Sequence, residues 1–172
     1  MTGKVTIIFN DDGHDSYLLG GREIALDNSV KGTVSDVEAA LVEEGYKVSV
    51  LPLAPGKSDS LGSFVAGIKA SAGSMVFNLC EGAFGKSALE MHIAALLELY
   101  GVRFTGSGPL ALGLSLDKGL TKDILSGSGI TTPEYAVMNE VPASLNKNLK
   151  FPLIVKPLRE DASIGIDSGA VV

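Results

Sequence analysis

The chain has 172 residues, 45% hydrophobic and 20% charged, which is enough apolar content for one good core and argues against a disordered segment. A formal net charge of −6 argues against a nucleic-acid footprint or an anionic membrane partner, since both need clustered Lys and Arg. One cysteine, Cys80, rules out an intramolecular disulfide; with no signal-like apolar region and no run of membrane-spanning length, a reducing, cytoplasmic location is expected.

Short apolar runs alternate with helical patterns along the first two thirds of the chain. Val5–Phe9 reads as a strand and is followed by a polar, Gly- and Asp-rich loop. Val30, Val34, Val37 and Leu41 recur at helical spacing, Gly45 supplies a stop, and Lys47–Leu51 is the next strand. Leu61, Phe64, Val65 and Ile68 make a second helical stripe that ends at Gly73. Met75–Leu79 is a continuous apolar run of the kind buried on both sheet faces. Ser87-Ala-Leu-Glu90 has the spacing of a capping box and opens a helix through Tyr100, with Gly101 as its stop and Val102–Thr105 as a fourth strand. This order predicts an α/β fold with a Rossmann-like open parallel sheet and ligands at the carboxyl ends of its strands.

After Thr105-Gly-Ser-Gly108 the pattern changes, and a boundary is placed near residue 112, dividing the chain into 1–112 and 113–172. A helix is expected from Asp117 to about Ser126, stopped by Ser126-Gly-Ser-Gly129, with an extended segment from Thr132 through Met138. A polar stretch, Asn139–Lys150, leads to a buried strand, Pro152–Lys156, and to a hairpin through Ile164–Ile166 to Ala170–Val172.

The chemistry concentrates at the end. Phe151-Pro-Leu-Ile-Val-Lys156-Pro157 delivers one cation, and Arg159-Glu-Asp-Ala-Ser-Ile-Gly165-Ile166 follows at once. A strand that fixes an ammonium, next to a loop of small residues that offers backbone N–H groups, suits a polyphosphate. Pro157 biases Lys156 toward extended backbone. Gly85-Lys86-Ser87 sits where a P-loop keeps its Gly-Lys-Ser, but Cys80 stands where the first glycine should be, so that reading is set aside. Asp11-Asp12-Gly13-His14-Asp15 crowds carboxylates and an imidazole after the first strand; a metal cluster and a solvated loop of turn formers are both open.

Taken in series, Asn78-Leu-Cys-Glu81-Gly82, Leu96 through Gly108, Leu116-Asp-Lys118-Gly-Leu-Thr-Lys122, Gly129-Ile-Thr-Thr-Pro133 and Phe151–Ile166 resemble D-alanine–D-alanine ligases and their relatives in the ATP-grasp superfamily. The order and spacing match over about residues 73 to 170, and the first seventy residues carry a looser likeness. The resemblance implies a Rossmann-like (pre-ATP-grasp) N-terminal domain in 1–112, followed by the start of an ATP-grasp central domain in 113–172. It implies a reaction in which ATP phosphorylates one D-amino acid's carboxylate and the amine of a second attacks the acylphosphate, giving a dipeptide for peptidoglycan and ADP. It assigns Lys118 and Lys156 to ATP, with Ser163, Ile164 and Gly165 in the loop that covers the phosphates. Asp11, Asp12 and Glu81 become candidates for substrate binding, beside Asp15 and Glu23. Mg²⁺ is implied as a cofactor, its ligands expected beyond Val172, together with a homodimer formed through the N-terminal domain.

Two departures bear on the substrate. Asp161 and Ala162 stand where the ligase loop usually has glycine and serine, and Cys80-Glu81 stands where the family has a histidine. Lacking the Mg²⁺ ligands, the 172 residues are expected to be inactive alone. The alternatives are a shortened, non-catalytic binding or dimerisation module, and one half of a split ligase.

Overall fold

The computed structural model describes residues 3–11, 16–19, 22–25, 29–54, 60–142, 144–160 and 165–172. They form two compact units, 1–110 and 111–172.

The first unit is built on a parallel sheet of β1 (Lys4–Asn10), β4 (Lys47–Leu53), β5 (Met75–Asn78) and β6 (Arg103–Phe104), in the order β4-β1-β5-β6. The central strand alternates its apolar side chains between two cores, as a strand covered on both faces must. Ile7 and Phe9 pack with Val34 of helix α1 (Ser29–Glu43), and Val30, Val37 and Leu41 join them from the same helix. Ile8 points the other way, into a larger cluster with Phe64 and Ile68 of α2 (Ser60–Ala70) and Ile93 and Leu97 of α3 (Glu90–Leu99). The expected Rossmann-like layering is thus present, and every pair within this four-stranded sheet is parallel, in registers that begin Lys4↔Lys47, Val5↔Met75 and Met75↔Arg103.

At the amino end of the sheet the polar residues are paired. The hydroxyls of Thr6 and Ser49 lie 3.0 Å apart, and Ser71 Oγ donates to Thr6 Oγ1 at 2.9 Å. Two of the three, Thr6 and Ser71, are buried, and mutual hydrogen bonding offsets the cost of taking such hydroxyls out of water.

Several elements differ from expectation. The loop after β1 contains an antiparallel pair, β2 (Ser16–Leu19) with β3 (Arg22–Ala25). The strand expected over Val102–Thr105 is two residues long, although the Thr105 N–H still donates to the Val76 carbonyl at 3.0 Å. The helix after Ser87 begins with a 3₁₀ turn, Ser87–Leu89, and becomes α-helical at Glu90. A helix absent from the sequence reading, α4 (Pro109–Leu116), precedes α5 (Lys118–Gly127).

The second unit is less deeply buried: among its described residues only Gly119 is buried. The segment 132–138 forms no regular element and is tied to α5 by side chains. Lys122 Nζ donates to the Pro133 carbonyl at 2.7 Å and stands 5.1 Å from the Tyr135 ring centroid. Tyr135 Oη donates to Asp123, which holds the phenol above its ordinary range. The expected buried strand Pro152–Lys156 is also corrected. Leu153 and Val172 exchange backbone hydrogen bonds and the Val155 N–H donates to the Ala170 carbonyl around one bridge, Ile154↔Val171, so the hairpin ends do meet. Yet Ile154 and Val155 are 52% and 63% exposed, because a two-stranded ribbon has no second layer of its own to bury either face.

Candidate functional site

Strand order places one candidate set. The chain moves from β1 outward to β4 and then returns past β1 to β5, so the order reverses between β1 and β5. Ligands of open α/β sheets bind at the carboxyl ends of strands where this reversal occurs. Asp11 directly follows β1 there, its N–H donating to the Leu53 carbonyl at 2.9 Å. Its carboxylate meets Lys31 Nζ, from the first turn of α1, at 3.1 Å. Glu81 lies across the crevice, and its N–H donates to Asn10 Oδ1 at 3.0 Å.

Two asparagines build this edge. Asn10 ends β1 and holds Glu81, while Asn78 ends β5 and accepts from the Cys80 N–H at 3.0 Å through Oδ1. Asn78 N–H donates to Thr105 Oγ1 at 3.0 Å, which secures the end of β6 to the same edge. At this edge Asp11, Lys31 and Glu81 are exposed or half-buried, whereas Cys80 and Ala83 are buried. The Asp11–Lys31 pair sets charges of opposite sign side by side at this edge. Asp12 and Asp15, like His14, lie outside the described residues; Glu23 falls on β3. Among the described residues no three His, Cys, Asp or Glu converge to hold a metal.

Gly85-Lys86-Ser87 is spent on a tight turn. Phe84 and Gly85 both have positive φ, 53° and 69°, as the two central residues of a type I′ turn require. Ala83 and Lys86 exchange N–H···O bonds of 3.2 and 3.0 Å across it. With those amides occupied by each other, the segment is no phosphate cradle.

The second candidate set lies within the second unit, at the start of α5. Asp117 is the N-cap: its backbone is extended and its Oδ1 accepts from the Leu120 N–H at 3.0 Å. Its Oδ2 accepts from Arg159 Nε at 2.8 Å. The Leu120 amide first, and then the Arg159 guanidinium, hold this carboxyl below its ordinary value of 3.8. Lys118 N–H donates to the Leu158 carbonyl at 3.1 Å, and Lys118 Nζ donates to the Glu160 carbonyl. Gly119 is small by necessity, since a Cβ there would stand 2.8 Å from Val137 Cγ2 and 3.4 Å from Leu158 Cδ1. Lys118 is therefore brought to the entrance of the loop that sequence reasoning assigns to phosphates.

Lys156 lies two residues before Leu158 and is exposed. Gly165 has φ 73°, a conformation that favours glycine. Ser163 and Ile164 lie outside the described residues, as do Asp161 and Ala162. Sequence reasoning gave no role to Asn10 and Lys31, and named Asn78 and Arg159 only as members of longer motifs. An amide closing an apolar strand, as at Asn10 and Asn78, was the available signal; nothing local marks Lys31 or Arg159.

The depressed Asp117 carboxyl gives a pH expectation. Stability from a lowered folded-state pKa is fully present above the unfolded value and is lost as pH falls through the folded one. The contribution of Asp117 is therefore lost below about pH 3.8, progressively as its lowered folded value is crossed. Asp117→Asn keeps a capping side chain but removes this titration. Acid unfolding followed by circular dichroism is expected to become less steep on its alkaline side in the variant; superimposable curves would contradict the assignment.

No family model matches the chain. It is 38% identical over 138 residues to the uncharacterized protein y4sG of Sinorhizobium fredii, covering 79% of this chain and 40% of that protein. It is 32% identical over 172 residues to the D-alanine–D-alanine ligase of Pelagibacter ubique, covering 96% of this chain and 50% of the ligase. The fold is similar to that of the Bacillus anthracis D-alanine–D-alanine ligase solved in complex with ATP, at a TM-score of 0.62 and 22% identity, over 92% of this chain and 48% of that one. The chain thus spans about half the length of the curated relatives it matches. Motif order, sheet topology and these likenesses agree: this chain is related to the N-terminal portion of D-alanine–D-alanine ligases.

Proposed function

We propose that the chain supplies the N-terminal and part of the central domain, 1–112 and 113–172, of an ATP-dependent carboxylate–amine ligase that joins two D-amino acids. The single observation that carries the ATP assignment is the contact of Lys118 Nζ with the Glu160 carbonyl, which puts a cation at the mouth of the loop 160–165. ATP, when bound, supplies the phosphoryl group that activates a carboxylate. The residues of this chain would bind and orient: Lys118 and Lys156 offset phosphate charge, and the N–H groups around Ser163–Gly165 donate to the anionic oxygens. Asp11 and Glu81 would hold the ammonium of the first amino acid, with Lys31 steering its carboxylate. The departures at Asp161 and Ala162 favour a ligase-like relative with its own substrate over a standard D-alanyl-D-alanine synthase. Mg²⁺ belongs to the same reading, although among the described residues no three His, Cys, Asp or Glu converge to hold it. A homodimer through 1–112 and a cytoplasmic role in cell-wall precursor synthesis complete the proposal; among the described residues no helix is long and apolar enough to cross a membrane.

The exposed Ile154 and Val155 support a further layer that completes the second unit, from the same polypeptide or from a partner. The test is ADP release by the full-length gene product with ATP and a panel of D-amino acids. Release that depends on a D-amino acid supports the ligase reading. ATP binding without any amino-acid-dependent turnover, in a product of intact mass equal to this chain, would leave the binding-module alternative.

A further inference from the structure

Asp117 and Lys118 meet Leu158, Arg159 and Glu160 through three consecutive ties. Arg159 Nε lies 2.8 Å from Asp117 Oδ2, the Lys118 N–H donates to the Leu158 carbonyl at 3.1 Å, and Lys118 Nζ donates to the Glu160 carbonyl. The two segments are about forty residues apart in the chain, and no ladder holds them together: α5 begins at Lys118, and 156–160 is irregular. The ion pair is the one tie between side chains of opposite charge, and its carboxylate is also the cap of α5. Arg159 is largely exposed, at 68% of its side chain, so the pair contributes little to global stability. Its value lies in where it puts the backbone.

We propose that Asp117 and Arg159 are positioning residues for Lys118. By pinning Arg159 to the first turn of α5, the pair sets the distance between the Lys118 ammonium and residue 160, where the chain enters the phosphate loop. The inference rests on the ATP reading above and deepens it: the affinity for a nucleotide polyphosphate depends on a side-chain pair that never touches the nucleotide. A merely structural pair would change melting temperature; this one changes local geometry and nucleotide affinity.

The experiment compares wild type with Arg159→Ala, Arg159→Lys, Asp117→Asn and Lys118→Ala, all in the full-length gene product. Hydrogen exchange is followed at the amides of 117–120, and ATP affinity is measured by calorimetry. Arg159→Ala is expected to speed exchange at Lys118 and weaken ATP about two- to fivefold, the scale of one exposed ion pair, with an unchanged melting temperature. Asp117→Asn should behave alike, since asparagine keeps the cap but loses the charge. Arg159→Lys should recover part of the affinity, because the charge returns without the planar Nε donor. Unchanged exchange in Arg159→Ala overturns the proposal whatever ATP does. Faster exchange with wild-type ATP affinity, while Lys118→Ala binds weakly, overturns the functional part alone. Wild-type affinity in both Lys118→Ala and Arg159→Ala sinks the ATP reading, and this inference with it.

Discussion

Replacing Lys118 with alanine is expected to lower the ATP-dependent turnover of the full-length product by about 10²–10³-fold, the scale of losing one preorganised donor at developing charge. Melting temperature should move by no more than a few degrees. The split follows from what the side chain touches. Its backbone N–H is already used by Leu158, and that bond survives truncation at Cβ. The ammonium contributes a contact to the Glu160 carbonyl, a group that other donors or water can serve at a half-buried position. The stability lost is small, whereas a phosphoryl group in transfer gains charge in a site closed to water, where a fixed cation counts most. Arginine at this position should not restore turnover, because its planar fork reaches further and cannot place one point charge against the Glu160 carbonyl. Turnover within a factor of three of wild type in Lys118→Ala would remove this lysine from the phosphate site.

Phe64→Ala is expected to cost about 3–5 kcal/mol, since Phe64 is the largest fully buried side chain among the described residues. Phe64 is 1% exposed and sits between α2 and the sheet with Ile8, Leu53, Ile68, Val76 and Leu97, each of them fully buried. Truncation removes the ring's transfer energy and leaves a cavity that a parallel sheet with covalent crossovers cannot collapse to fill. A domain whose whole stability is of order 5–15 kcal/mol would be left partly unfolded at physiological temperature. Val34→Ala on the opposite face serves as the contrast. Among the described residues that cluster has three buried members, Ile7, Phe9 and Val34, and the truncation removes fewer atoms, so the loss there should be clearly smaller. Urea denaturation of both variants checks the order; equal midpoints would mean that the two faces share the stability.

The fold of the first unit was legible because its strands are short apolar runs and its helices carry three- and four-residue spacing, as in Val30, Val34, Val37 and Leu41. The β2–β3 pair was missed although Gly20-Gly21 separates Tyr17-Leu-Leu19 from Arg22-Glu-Ile24, a two-residue hairpin signal hidden by the surrounding aspartates. α4 was missed because Pro109-Leu-Ala-Leu-Gly-Leu-Ser-Leu116 alternates as a strand would, and its helix is fixed by context rather than pattern. Pro152–Lys156 was read as buried from its composition, but composition reports what a segment could bury and not whether a layer lies over it. Of the candidate site, Asp11, Glu81 and Lys118 were named from position and motif. The roles of Lys31 and Arg159 could not be, since each matters only through a partner distant in sequence, Asp11 twenty residues before Lys31 and Asp117 forty-two before Arg159.

The central claim is that Lys118 and Lys156 hold the phosphates of ATP, and lysine footprinting of the full-length product tests it most directly. Acylation rates would be measured with and without ATP at Lys118 and Lys156, with Lys122 and Lys150 as internal controls. The account predicts strong protection of Lys118 and Lys156 by ATP and unchanged rates at the controls. Equal labelling of all four lysines with and without the nucleotide would contradict it.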